Sequence, residues 1–126
     1  MSIQLWDGNV NDFYNTNLNN YQFINNFIQR LNNSGNDLIE PIQWKLDTTQ
    51  YDMVNRNAYN QFIQNATILQ NNLGKLVENV RMTDYDYQIP VINVPKDTNF
   101  SEQDINEFWN TINNIMNWIT GQLKFA

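Results

Sequence analysis

The stretch YNQFIQNATILQNNLGKLVENV, residues 59–80, carries its apolar side chains at Tyr59, Phe62, Ala66, Leu69, Leu73, Leu76 and Val80. The steps alternate between three and four, which draws a narrow heptad seam along one face of an α-helix. Such a seam suits another helix, so a coiled-coil-like contact is expected. Just upstream, Leu46-Asp47-Thr48-Thr49-Gln50-Tyr51 has the form of a helix start. Asp47 stands as N-cap, Gln50 as its capping-box partner, and Leu46 and Tyr51 as the hydrophobic pair that closes the turn. A helix unbroken from 47 to 81 is roughly 50 Å long at 1.5 Å per residue. A compact globule of this chain length is less than about 40 Å across. Gly74, which costs about 1 kcal/mol inside a helix, marks where the helix would kink or end.

Phe100-Ser101-Glu102-Gln103-Asp104-Ile105 repeats the design, with Ser101 as N-cap and Asp104 as a shorter capping-box partner. It opens a helix over 101–120 whose seam is Ile105, Phe108, Ile112, Ile115 and Ile119, with Gly121 as its stop. A further helix over 11–33 follows from Val10, Phe13, Tyr14, Leu18, Tyr21, Ile24, Phe27, Ile28 and Leu31, ended by Ser34-Gly35. Asn36 to Trp44, interrupted by Pro41, is expected to be a buried connection or one turn of helix. Two segments change character. Residues 1–8 lead into the turn signal Asp7-Gly8-Asn9 and predict a short strand or extended arm. In 84–99, Tyr85, Tyr87, Ile89 and Val91 alternate with polar residues or proline, while Pro90 and Pro95 exclude a central strand, so an extended arm or edge strand is predicted. The expected fold is mainly α: one domain over 1–126, three helices, an N-terminal arm over 1–10 and a second arm over 84–99.

Composition removes much chemistry. The 126 residues include neither Cys nor His, which excludes disulfides, thiol catalysis, the usual zinc ligand sets and Ser-His or Cys-His pairs. A net charge of −6, with Arg30, Lys45, Arg56, Lys75, Arg81, Lys96 and Lys124 spread singly, argues against a nucleic-acid partner. The scattered acids do not build the dense face of a DNA mimic. No leader pattern and no long apolar run is present, so a soluble, unsecreted chain without a membrane partner is expected. Amide takes the place of charge: Asn and Gln occupy 36 positions, 25 of them Asn. Asn lowers helix propensity by roughly 0.5 kcal/mol per residue against Ala, so these helices need packing to persist. Two roles offer themselves for the amides: covering solvated faces, or fixing register between chains as buried pairs.

Three constellations bear on chemistry. Asp7-Gly8-Asn9-Val10-Asn11-Asp12 imitates the start of a calcium loop, but Asp12 stands where that loop needs glycine and Leu18 where it needs a bidentate acid. A turn and helix cap is the reading. Asp84 and Asp86 flank Tyr85 and would share one face of a strand, as a glycosidase pair does, yet nothing nearby supplies a cleft. The aromatic residues mostly fall on apolar stripes, which assigns them to core or interface. No catalytic, cofactor-binding or metal residue is assigned.

Trp6-Asp7-Gly8-Asn9-Val10, followed by Leu18-Asn19, resembles the N-terminal motif of many bacteriophage tail-fibre and virion attachment proteins. That motif runs through a tryptophan, a glycine turn and an aliphatic residue to a Leu-Asn pair introducing a helix. Here the pair comes later, and Phe13 and Tyr14 replace small residues. The resemblance implies a structural subunit of a virion, assembled in the host cytoplasm, with no enzymatic activity or cofactor. The expected partners are copies of itself and other virion proteins. The expected oligomer contacts are the seams Tyr59, Phe62, Ala66, Leu69, Leu73, Leu76 and Val80 and Ile105, Phe108, Ile112, Ile115 and Ile119. Trp6, Tyr85, Tyr87, Ile89 and Val91 are the expected anchors of the arms. The alternative is a small phage or plasmid protein that binds and blocks one host protein through an exposed aromatic patch.

Overall fold

The computed structural model describes residues 2–34, 40–51, 55–80, 87–96 and 101–123. The fold is mainly α, with α1 Phe13–Asn33, entered through a single 3-10 turn Val10–Asp12, α2 Asn55–Val80 and α3 Glu102–Leu123. No strand occurs among the described residues, and none of their helices is long and apolar enough to cross a membrane.

Side-chain contacts set the direction of each helix. Near their N-terminal ends, Phe13 of α1 meets Tyr59 and Phe62 of α2, and Phe62 meets Phe108 and Trp109 of α3. Toward the other end, Phe27 and Arg30 of α1 face Met116 and Thr120 of α3 across one groove. Glu40 to Trp44, held to α1 at Asn32, lie beside Leu76 and Asn79 of α2. All three helices therefore run the same way. Short connections force neighbouring helices antiparallel. Here residues 34–54 and 81–101 are long enough to bring the chain back to the starting end each time.

The described parts of these returns are extended, and each lies in a groove between two helices. A first strap (2–7) lies between α1 and α3, a second (40–51) between α1 and α2, and a third (87–96) between α2 and α3. The core runs down the axis. Phe62, Leu69, Ile105, Trp109, Ile112, Ile115 and Ile119 are wholly buried there, and the straps add Trp6, Leu46 and Ile92 at its edges.

The Ser101 capping box forms as expected: the Asp104 N–H donates to Ser101 Oγ at 3.2 Å, and the Ser101 N–H to Asp104 Oδ2 at 3.4 Å. The helix it opens continues past Gly121 to Leu123. The Asp47 signature does not start a helix. Asp47 Oδ1 accepts from the Thr49 N–H at 2.9 Å and Oδ2 from the Tyr51 hydroxyl at 3.1 Å, in a turn that ends the second strap. The Asp47 carbonyl, which would accept the first helical bond, is taken by Gln61 and Asn65. α2 is thus about 39 Å long, within the diameter of about 40 Å of a compact globule of this chain length, and it passes through Gly74 without a break.

Candidate interaction surface

An asparagine side chain presents one acceptor and a donor side by side, the same pair that a residue of backbone offers to a neighbouring strand. Five asparagines on the helices use this match, each gripping both the N–H and the C=O of one strap residue. Asn20 of α1 holds Gln4 at 2.7 and 2.8 Å, and Asn106 of α3 holds Trp6 at 2.8 and 2.9 Å. On the second strap Asn32 holds Ile42 at 2.7 and 3.1 Å, Asn25 holds Leu46 at 2.8 and 2.9 Å, and Asn65 holds Asp47 at 2.9 and 3.0 Å. Glutamines add single contacts: Gln61 Nε2 donates to the carbonyls of Asp47 and Thr49, and Gln70 Nε2 to that of Ile92. The first and second straps need no sheet, because helix side chains satisfy backbone that burial would otherwise leave unpaired.

Apolar side chains fill the spaces between clamps. Trp6 packs edge-on against Phe13 at 5.1 Å and donates from its indole N–H to the Asn9 carbonyl. Tyr87 stacks on Trp118 at 4.3 Å with ring planes 13° apart. Ile89 and Val94 are half-buried and Ile92 is buried, whereas Val91 is 77% exposed. Of the expected anchors, Trp6, Tyr87 and Ile89 face inward. Val91 does not, since no ladder holds this segment to a two-residue period, and the anchor there is Ile92. Tyr85 lies outside the described residues, as do Asp84 and Asp86.

The expected oligomer seams are placed differently. Phe62, Ala66, Leu69, Leu73, Leu76 and Val80 are buried within a single chain, as are Ile105, Phe108, Ile112, Ile115 and Ile119, and Tyr59 is half-buried against Phe13. The other helices and the straps already cover these side chains, so they offer no surface to a second copy. The periodicity marked the core and left open whose helices complete it.

The calcium-like segment is a run of turns. Asp7 Oδ1 accepts from the Asn9 N–H at 2.8 Å and Asn9 Oδ1 from the Asn11 N–H at 3.0 Å, with Gly8 at φ 84° between them. The Asn9 N–H draws the Asp7 carboxyl below the usual aspartate range, and sharing a hydrogen bond with Asp7 raises Asp12. No cluster of three potential metal-binding side chains of His, Cys, Asp or Glu occurs among the described residues. Deep in the bundle, Trp109 donates its indole N–H to Asn17 Oδ1 at 3.1 Å. Burial pushes the Tyr21 hydroxyl well above its ordinary pKa, and the hydroxyl sits beside Asn65 without a well-formed hydrogen bond.

Open clefts lie alongside the straps among the described residues. One, of about 470 Å³, separates the third strap at Asn93 to Pro95 from Asp104, Glu107, Thr111 and Asn114 of α3. Another, of about 360 Å³, is the upper part of the α1/α3 groove, lined by Phe23, Asn26, Phe27 and Arg30 with Met116, Asn117 and Thr120. No family model, curated protein or solved structure matches this chain.

Proposed function

We propose that this protein is a non-enzymatic structural subunit of a bacteriophage particle, belonging to its tail, fibre, collar or head-associated parts and working through protein–protein contacts. The observation that carries the reading is the use of its amides. Clamp after clamp holds extended backbone against a helix, which is the chemistry of assembly rather than of turnover. Of the buried polar side chains, Asn20, Gln61 and Asn65 bond strap backbone in this way and Asn17 accepts from the Trp109 indole. The N-terminal resemblance to tail-fibre and attachment proteins supplies the particle. In this reading contacts between copies fall on outward side chains such as Leu5 and Val91, exposed by 53% and 77%, and not on the seams. Mass spectrometry of purified particles tests the assignment: the protein is expected as a stoichiometric component, and its confinement to the host-cell fraction overturns the proposal.

A further inference from the structure

Three grooves separate the helices, and the straps do not cover them equally. The second strap follows α1 from Ile42, clamped at Asn32, through Leu46 at Asn25, goes on to Asp47 at Asn65 and ends where the Tyr14 hydroxyl donates to the Thr49 carbonyl. The third strap runs from Trp118, where Tyr87 stacks, down to the cleft beside Asp104. The first strap covers only the lower part of its groove, since its highest clamp is Asn20 on Gln4. Above Asn20 the α1/α3 groove lies open from Phe23 to Arg30 among the described residues.

That open stretch repeats the pattern of the covered ones. Its floor is apolar, formed by Phe27 and Met116, with the half-buried Phe23 at its edge. Asn26 on one helix and Asn117 on the other line it, and neither amide is used by another described residue. Asn117 follows Asn106 by about three helical turns on the same face of α3, and Asn26 stands on the outer rim of the α1 wall. Seven residue steps of helix from Phe23 to Arg30 span about 10 Å, the length of about three extended residues.

We propose that the upper α1/α3 groove binds an extended segment of a partner protein, rich in aliphatic side chains and poor in charge, which continues the line of the first strap. Asn26 and Asn117 take its backbone N–H and C=O groups, and an aliphatic side chain enters between Phe23, Phe27 and Met116. The partner's chemistry follows from the occupants of the other grooves, which are extended chain with Ile42, Leu46, Ile89 and Ile92 turned inward. This inference rests on the reading of the protein as one that works through protein–protein contacts.

The test titrates the full chain, labelled with nitrogen-15, with the peptide QIPVINVP, the sequence of residues 88–95, acetylated and amidated so that it carries no charge. The expected result is saturable shifts of the Asn26 and Asn117 side-chain amides and of the Phe23 and Met116 backbone. The Asn26→Ala/Asn117→Ala double variant should bind about tenfold more weakly or worse, with its thermal unfolding retained. Phe23→Glu should also abolish the shifts, and if that variant fails to fold the asparagine pair alone decides. No shifts at a peptide concentration of about 1 mM overturn the proposal. So do shifts confined to the α2/α3 groove, which mean exchange with the third strap. A homo-oligomer that the groove variants dissociate overturns it as well, because the occupant is then a second copy. Failure of the titration leaves the protein's presence in purified particles untouched, and its absence from particles leaves the titration untouched, so the two readings fail separately.

Discussion

Replacing Asn20 by Ala separates a clamp from a mere polar surface residue. Asn20 is fully buried and holds Gln4 by both backbone groups, at 2.7 and 2.8 Å. Two hydrogen bonds at about 1 kcal/mol each are lost, and the Gln4 N–H and C=O, part-buried, pay a further desolvation cost of about 1 kcal/mol. Against this, Ala is the better helix former by roughly 0.5 kcal/mol. The net is a loss of about 2–3 kcal/mol, which moves the urea midpoint down by about 1–2 M. Asn71, exposed in the middle of α2, is the control. Asn71→Ala gains the propensity and loses no clamp, so its midpoint rises slightly. Urea titration followed by circular dichroism reads both variants, and hydrogen exchange at 2–7 shows whether the first strap has come loose. Equal small gains from both substitutions would refute the reasoning and return Asn20 to the role of polar filler.

Gly74→Ala should stabilise by about 0.5–1 kcal/mol, seen as a higher melting temperature, because Gly74 is helical and a Cβ there meets nothing within 4 Å. Ser101→Ala removes the acceptor of the Asp104 N–H and should cost about 1 kcal/mol by the same measurement. Leu69→Asp puts a charge at a wholly buried position and should unfold the single chain, so that lost helical dichroism accompanies any change in solution mass; a folded, merely dissociated variant would contradict the placement of the seam. The hydroxyl and N–H of Thr49 hold the Asp47 carboxyl below its ordinary range, so its stabilisation is present above the unfolded aspartate pKa and is lost as pH falls through the lowered folded value. The melting-temperature gap between the wild type and Asp47→Asn should therefore shrink below about pH 4, and a gap that persists at pH 2 would exclude the carboxylate as its source.

The helices were legible because their signals are local. The spacing of Phe62, Leu69, Leu73 and Leu76, and the reciprocal bonds of Ser101 and Asp104, need only the residues beside them. Asp47 shows where that ends: Asp-Thr-Thr serves a helix cap and a turn equally well, and Asn65 and Gln61, more than ten residues away, decide between them by taking its carbonyl. Propensity alone stops a helix at Gly121 and breaks one at Gly74, whereas packing of Ile119 and Leu73 carries the helices through both. The asparagines are less legible still. Nothing in the neighbourhood of Asn25 in sequence distinguishes it from Asn26, yet one holds Leu46 and the other lines an open groove. The signal that was present is the pairing of amide-rich helices with long connections, which parallel helices require and antiparallel ones do not.

The bond between Asn106 and Trp6, across a sequence separation of 100 residues, imposes an order of folding during synthesis. A chain emerging from the ribosome makes α1, lays the second strap along it, and closes α2 over both while α3 is still unmade. The first strap can then keep its hold on Asn20, but half of its grip and the indole bond of Trp109 to Asn17 must await the last helix. Closing so long a loop is entropically costly and slow. The oldest part of the chain is thus among the last to find its place, and until α3 arrives the aromatic faces of Trp6, Phe13 and Phe62 lack a lid. A chain interrupted before residue 101 would expose that unfinished side to any neighbour with a helix to lend.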